Sequence, residues 1–241
     1  MDYQDFIKLD RFPTSWCAGC GAGLVLKTVA QAFEKMGLTK SNTAVVSGIG
    51  CTGRGAGYFA LDSVHGLHGR AIPLAEGMKL SNPELNISVF SGDGDLLSIG
   101  GNHLIHACRR DTDITVICVN NNIYGMTGGQ KAPTTPRGTI TLTSPEGATE
   151  TPINAQALVR AHGNFYARTT VTHIEHMNKC ILEAIKHKGF SFVEIISPCT
   201  SNYGRRLGYK TPYDMMINYK ERYKIVSDVD HLSEGELGIL I

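Results

Sequence analysis

The sequence predicts an α/β fold, a doubly wound and mainly parallel sheet with helices on both faces. Three observations carry this. Apolar, β-branched runs alternate along the chain with stretches of helical spacing. The run "DITVICVNNN" is continuously apolar rather than alternating, as a strand covered on both faces requires. Glycine- or proline-flanked loops follow the strands: "GIGCTG" follows that at 43–47, "GDGD" that at 86–91, "NNNIYGMTGGQ" that at 114–119 and "PCTSNYG" that at 190–197. Parallel sheets bind ligands at the carboxyl ends of their strands, so these loops are the candidate functional ones.

Taken in order, "GAGLVLKTVAQAFEKMG" has apolar residues at helical spacing and stops at Gly37, a C-cap. "NTAVVSGIG" is a short buried strand. "PLAEGMKLSNP" reads as a helix that starts at Pro73 and stops before Pro83, with Glu76 and Glu84 on its surface. "LNISVFSG" is the next strand and "SIGGNHLIHACRRD" the helix after it, where His103 and His106 read as packing or capping groups. A Gly/Pro/Thr-rich segment from Tyr124 to Pro152 is too long for an ordinary connection and is assigned to function. Helices near 153–162 and 172–188 flank a strand at 165–170, and "GFSFVEIISP" closes the sheet. The polar, aromatic tail from Cys199 is expected to wrap the surface or a partner.

Composition removes whole classes of function. With 241 residues and a net charge of +1, the chain has no electrostatic footprint for nucleic acid or an acidic membrane. No apolar run reaches the ~20 residues that span a bilayer. "MDYQDFIKLDRFPTSW" lacks both the basic start and the apolar core of a signal peptide, so a cytoplasmic protein is expected. Seven cysteines, an odd number, point to metal ligation or buried thiols rather than disulfides.

The stretch "VFSGDGDLLSIGG" places carboxylates where a strand hands over to a helix. A helix N-cap accounts for one of them. A divalent metal with phosphate on its far side accounts for more. Asp93 offers a carboxylate and Asn121, one βαβ crossover later, a side-chain carbonyl; Gly92 and Gly94 would let phosphate oxygens approach the main chain. Cys17, Cys20, Cys51 and Cys199 lie in Gly- or Pro-flanked loops, whereas Cys108, Cys118 and Cys180 fall inside helices or a strand. Four loop thiols suit either tetrahedral zinc or an iron–sulfur cluster. Gly48, Gly50 and Gly53 spell a dinucleotide fingerprint, but Cys51 and Arg54 crowd the turn and no acidic residue lies near position 70.

"GDG" followed by "NN" resembles the signature of thiamine diphosphate enzymes. With "WCAGCG", "GIGCTGR", "HGRA", "GGNH", "NNNIYGMTGGQKAPTT" and "SPCTS", the chain resembles the β subunit of the 2-oxoacid:ferredoxin oxidoreductases over most of its length. The resemblance implies a thiamine diphosphate-binding fold over residues 1–241, with an N-terminal cluster-ligand segment 1–23 and a C-terminal extension 200–241. It implies Mg²⁺ on Asp93, Asn121 and the carbonyl of Ile123, and a 4Fe–4S cluster on Cys17, Cys20, Cys51 and Cys199. It sets the coenzyme against Ile49, Gly50, Cys51, Thr52, His68, Gly92, Gly94, Asp95, Gly125 and Met126.

The activity so implied is oxidative decarboxylation of a 2-oxoacid with coenzyme A, electrons leaving through the cluster to ferredoxin. His68, Met126, Thr127 and Arg54 are the residues placed nearest the chemistry, and Arg70 could also reach diphosphate or substrate. The family's pyruvate branch typically has Asn where Met126 stands, so 2-oxoglutarate ranks first, branched-chain 2-oxoacids second and pyruvate last. Arg54 either pairs with a second substrate carboxylate or stays a solvated loop arginine. The carboxylate that activates the coenzyme lies on the family's α subunit, and no glutamate here fits that part. An α subunit is therefore the implied partner, with γ and ferredoxin-like δ subunits as further ones. A non-catalytic, zinc-stapled binding subunit is the competing reading, and the intact "GDG" and "NN" elements argue against it.

Overall fold

A period of two along the strands divides their side chains between two cores. Val45, Phe90, Ile117, Val119 and Val193 face one core, and Val46, Val89, Val116, Cys118 and Phe192 the other. The computed structural model describes residues 2–241; Met1, the first residue of the expected 1–23 segment, lies outside them. In chain order the strands are β1 (Thr43–Ser47), β2 (Asp62–His65), β3 (Asn86–Gly92), β4 (Thr115–Asn120), β5 (Ile123–Tyr124), β6 (Gln130–Lys131), β7 (Phe165–Thr170), β8 (Ser191–Ile196), β9 (Lys224–Ile225) and β10 (Glu236–Leu240). Eight of them form one sheet in the order β2-β1-β3-β4-β8-β7-β10-β9, while β5 and β6 make a separate antiparallel pair. Neighbours from β2 to β7 run parallel, and β10 pairs antiparallel with β7.

Six helices cover the sheet: α1 (Ala22–Lys35), α2 (Ala71–Ser81), α3 (Gly101–Arg110), α4 (Ala155–Arg160), α5 (Ile174–Lys186) and α6 (Pro212–Arg222). Val25, Val29 and Phe33 of α1 share a core with Met177 and Ile181 of α5; Ile72 of α2, Leu104 of α3 and Val159 of α4 fill the other. Both faces are thus covered, as the buried strands demand. After α1, the N–H of Gly37 bonds to Glu34 and that of Leu38 to Phe33 at 3.0 Å, with Gly37 at φ +64°: a Schellman cap.

The structure corrects several expectations. Helix α2 starts two residues before Pro73; its first-turn N–H groups have no helical partner, so proline there costs no bond. Glu76 is buried, because Arg110 grips it through Nε and Nη2 at 2.9 and 2.6 Å and Thr112 adds a third bond. Glu84 lies in the turn beyond the helix. His106 is exposed and neither packs nor caps. The tail does more than wrap: it forms α6, opened by Thr211 and Asp214 in a reciprocal capping box with Pro212 at the first position, and then extends the sheet through β9 and β10. Cys108, Cys118 and Cys180 are buried, as expected. No helix among the described residues is long and apolar enough to cross a membrane.

Burial of α5 against the sheet also sets a pH response. His176 Nδ1 lies 3.0 Å from Thr169 Oγ1, and burial, aided by the charges of His173 and Lys179, lowers its pKa from 6.5 to about 4. The folded chain therefore holds that proton more weakly than the unfolded chain. The stability this burial confers is complete above pH 6.5 and declines as pH falls toward 4. Urea midpoints at pH 7 and about pH 4.5 should fall further in the wild type than in His176→Gln; equal falls would refute this assignment.

Candidate active site

Four strands that are neighbours in the sheet, β1, β3, β4 and β8, deliver the four candidate loops side by side. The register continues past the strands, with Ser197 N–H bonding to Asn120 O at 2.8 Å. The chain leaves β1 toward β2 on one side and reaches β3 on the other, so the gap between β1 and β3 is the topological switch point, where such sheets bind ligands. A cavity of about 140 Å³ opens there, lined by 49–52 after β1, 92–95 after β3, His68, Asn121 and 123–127. Pockets that enclose a whole ligand start near ~300 Å³, so these residues form a wall rather than an enclosure.

Asp95 holds that wall together. It is buried at the start of a π-helical turn, Asp95–Ile99, closed by Gly100 N–H to Asp95 O at 3.0 Å. Its Oδ1 accepts from Ile49 N–H at 3.1 Å and Gly69 N–H at 2.7 Å and lies 2.6 Å from His68 Nδ1; its Oδ2 accepts from Ser91 Oγ at 2.8 Å. Asp95 also lines the cavity, while its carboxylate ties together loops of its own chain. Gly48 makes room: a Cβ there would lie 2.0 Å from Asp95 Oδ2.

Asp93, two residues earlier, is equally buried but less well served. Its one side-chain donor is Thr134, and burial raises its pKa to about 6 although the backbone N–H groups of Asn121 and Gly94 oppose this. A carboxylate left in that state is suited to a cation, whose charge repays its desolvation. Asn121 Oδ1 reaches the same cavity beside Ile123 and accepts only Ile123 N–H, at 3.3 Å. The donor set therefore fits Mg²⁺. At Gly94, which lines the cavity, a Cβ would also meet the Tyr124 ring at 2.3 Å, and Tyr124 O–H donates to Gly94 O at 3.1 Å. At Gly92 a Cβ would make only ordinary contacts.

The four loop cysteines are brought together. Burial pushes the Cys20 thiol up to about 11, and Cys199, Cys51 and Cys17 each raise it further through their charge. Burial likewise raises the Cys51 and Cys199 thiols, and a positively charged centre would favour their thiolates. Hydrogen bonds bind the segments that carry them: Trp16 Nε1–H to Cys51 O at 2.7 Å, Thr200 Oγ1 to Ala18 O at 3.0 Å and Asn202 Nδ2 to Gly125 O at 2.6 Å. Gly125 is the partition between the two sites. It lines the cavity, and a Cβ on it would lie 3.3 Å from Cys199 Sγ and 3.8 Å from Cys51 Sγ.

At the rim, Met126 and Thr127 are exposed, and Thr127 Oγ1 is bonded to Gln130. Arg54 is exposed beside a second cavity of about 580 Å³, which shares Ile49, Gly50 and Met126 with the first and also presents Arg11 and His65. Arg70 is exposed, its Nη1 3.5 Å from His68 O. Sequence reading assigned no role to Thr134, Tyr124 or Asn202. All three lie in motifs or loops already singled out, and only the fold shows which atoms they meet.

A family model described as "Thiamine pyrophosphate enzyme, C-terminal TPP binding domain" matches residues 41–195. The chain is 48% identical over 220 residues to a 2-oxoglutarate synthase subunit KorB of Methanothermobacter marburgensis, covering 91% of this chain and 77% of that one. To the protein of the same name from Archaeoglobus fulgidus it is 43% identical over 241 residues, 99% of this chain and 88% of the other. Among solved structures it is similar to the 2-oxoglutarate:ferredoxin oxidoreductase from Magnetococcus marinus with 2-oxoglutarate, coenzyme A and succinyl-CoA bound. The TM-score is 0.89 at 29% identity, over 100% of this chain and 84% of that chain.

The arrangement around Asp95 yields a stability prediction. Asp95→Ala leaves the buried Ile49 and Gly69 N–H groups without their acceptor, at a cost of about 1–3 kcal/mol. Thermal unfolding should show a clearly lowered Tm, and an unchanged Tm would overturn the role given to this carboxylate.

Proposed function

Because the chain belongs to the β subunits of the 2-oxoacid:ferredoxin oxidoreductases, of the 2-oxoglutarate synthase type, and carries their thiamine diphosphate-binding domain, we propose the following reaction for its site. A 2-oxoacid, foremost 2-oxoglutarate, is oxidatively decarboxylated with coenzyme A to an acyl-CoA and CO₂. The electrons leave through a 4Fe–4S cluster to ferredoxin. When bound, thiamine diphosphate supplies the carbon nucleophile and electron sink, and the cluster accepts electrons singly.

The chain's own residues hold and orient these groups. Asp93, Asn121 and the carbonyl of Ile123 hold Mg²⁺ against the diphosphate, and Cys17, Cys20, Cys51 and Cys199 hold the cluster. The observation that carries the reading is the shared wall. Cys51 and Thr52 are consecutive and both line the coenzyme cavity, and Gly125, which lines it too, would place a Cβ 3.3 Å from Cys199 Sγ.

Residues 1–241 act as one coenzyme-binding domain, with the segment 1–23 and the extension 200–241 closing the cluster side. Neither Glu76, held by Arg110, nor Glu84, in its exposed turn, lines the cavity. The activating carboxylate and the rest of the pocket therefore come from an α subunit, and the isolated chain is inactive. Arg54 and Arg11 make the adjoining cavity cationic, which suits the distal carboxylate of 2-oxoglutarate better than an apolar branched chain or pyruvate.

Three outcomes test this reading. The anaerobically purified chain should be brown; a colourless protein containing zinc would refute the cluster. Cys51→Ala should abolish ferredoxin or viologen reduction by the assembled enzyme, and undiminished electron transfer would refute the wiring. Steady-state rates should rank 2-oxoglutarate above 2-oxoisovalerate and pyruvate, and a pyruvate preference would reverse the substrate assignment.

A further inference from the structure

Behind the proposed metal loop lies a buried carboxylate that is not part of the coenzyme cavity but lines a separate one of about 630 Å³ with Asn120, Asn122 and Thr134. Glu194, on β8, is 5% exposed. Its Oε1 accepts from Asn120 Nδ2 at 2.7 Å, and its Oε2 accepts from Arg168 Nε at 3.0 Å and from the Tyr166 hydroxyl. Burying a charge here is costly unless its partners are fixed, and packing alone would favour an apolar residue. The partners do more than neutralise it. With its amide nitrogen held by Glu194, Asn120 must turn its Oδ1 the other way, where it accepts Asn122 N–H at 3.0 Å. Asn122 sits at φ +60°, and its carbonyl accepts from Thr135 Oγ1. Asn121 is thereby fixed on both sides and its side chain delivered into the cavity next to Asp93.

We infer that Glu194 is a positioning residue that sets the orientation of the metal-binding asparagine through Asn120. The inference rests on the assignment of Asp93 and Asn121 as metal ligands, and it follows from hydrogen-bond polarity. In Glu194→Gln the new carbonyl stays with Arg168 and Tyr166, so the new NH₂ faces Asn120 Nδ2. Asn120 must flip, and its NH₂ then meets the N–H of Asn122, donor against donor. The loop loses the bond that fixes it. Residues that orient metal ligands in this way typically control metal affinity by about 10- to 100-fold.

The test is Mn²⁺ binding by electron paramagnetic resonance, on the full chain assembled with its partner subunits and kept anaerobic. Asp93→Asn should lose Mn²⁺ binding. Glu194→Gln should weaken it about 10- to 100-fold. Adding Asn120→Asp to Glu194→Gln should restore it, because the carboxylate introduced at position 120 accepts both from the new amide and from Asn122 N–H. Tyr166→Phe removes one donor from the far side of Glu194 and should lower Tm without changing Mn²⁺ affinity. If Asp93→Asn binds Mn²⁺ normally, the metal site falls and the relay with it. If Asp93→Asn loses the metal but Glu194→Gln keeps it, the relay alone is overturned. A loss in Glu194→Gln that the double substitution leaves unrepaired, or an equal loss in Tyr166→Phe, also overturns the relay.

Discussion

The carboxylate of Asp95 is the point on which the geometry of the site depends. An ionised group in the interior is tolerable only when its lone pairs are filled, and four donors fill them here: two backbone N–H groups, an imidazole and a hydroxyl. The donors come from the loop after β1, the loop after β2 and the end of β3, so one side chain draws three separate segments to a common point. The cavity at the switch point takes its shape from that convergence. Gly48 is a consequence of the same packing, since any side chain there would strike the carboxylate.

Two aspartates in one short motif have opposite fates because of this division. Asp95 is saturated by its own protein, whereas Asp93 is buried with too few donors and left with a pKa near 6. Both line the cavity, but only Asp95 binds its loops together, while Asp93 is the carboxylate whose pKa burial holds near 6 and that the proposed metal site would use. The same economy of position governs the sulfur side. Cys51 belongs to the loop that forms the cavity floor, and Trp16, adjacent in sequence to Cys17, pins that loop through the Cys51 carbonyl. The cysteine centre and the coenzyme wall are built from shared backbone.

Much of this was legible in the sequence. The parallel strands announced themselves through continuous apolar runs, and the loops after β1, β3, β4 and β8 were marked by glycine, asparagine and cysteine. What escaped depends on contacts between distant residues or on weak local signals. Glu76 looks like a surface residue on its own helix and is buried only because Arg110 folds back onto it. Strand β2 lies at the sheet edge with mostly exposed residues, so no apolar period betrays it. Helix α6 did carry a signal, Thr211 and Pro212 followed by Asp214, but in a polar stretch with no apolar stripe to support it. The donors that Asp95 gathers were not legible, because proximity in sequence to Asp93 says nothing about which groups each will meet.

The rim differs in kind from everything beneath it. Met126 keeps 43% of its surface exposed and Arg54 is exposed on a short 3-10 turn, while Asp93 and Asn121 follow directly on the buried strands β3 and β4. A substitution at either rim position disturbs almost no packing and removes no buried bond. The rim can therefore vary at little cost to folding, whereas the buried strand ends beneath it cannot.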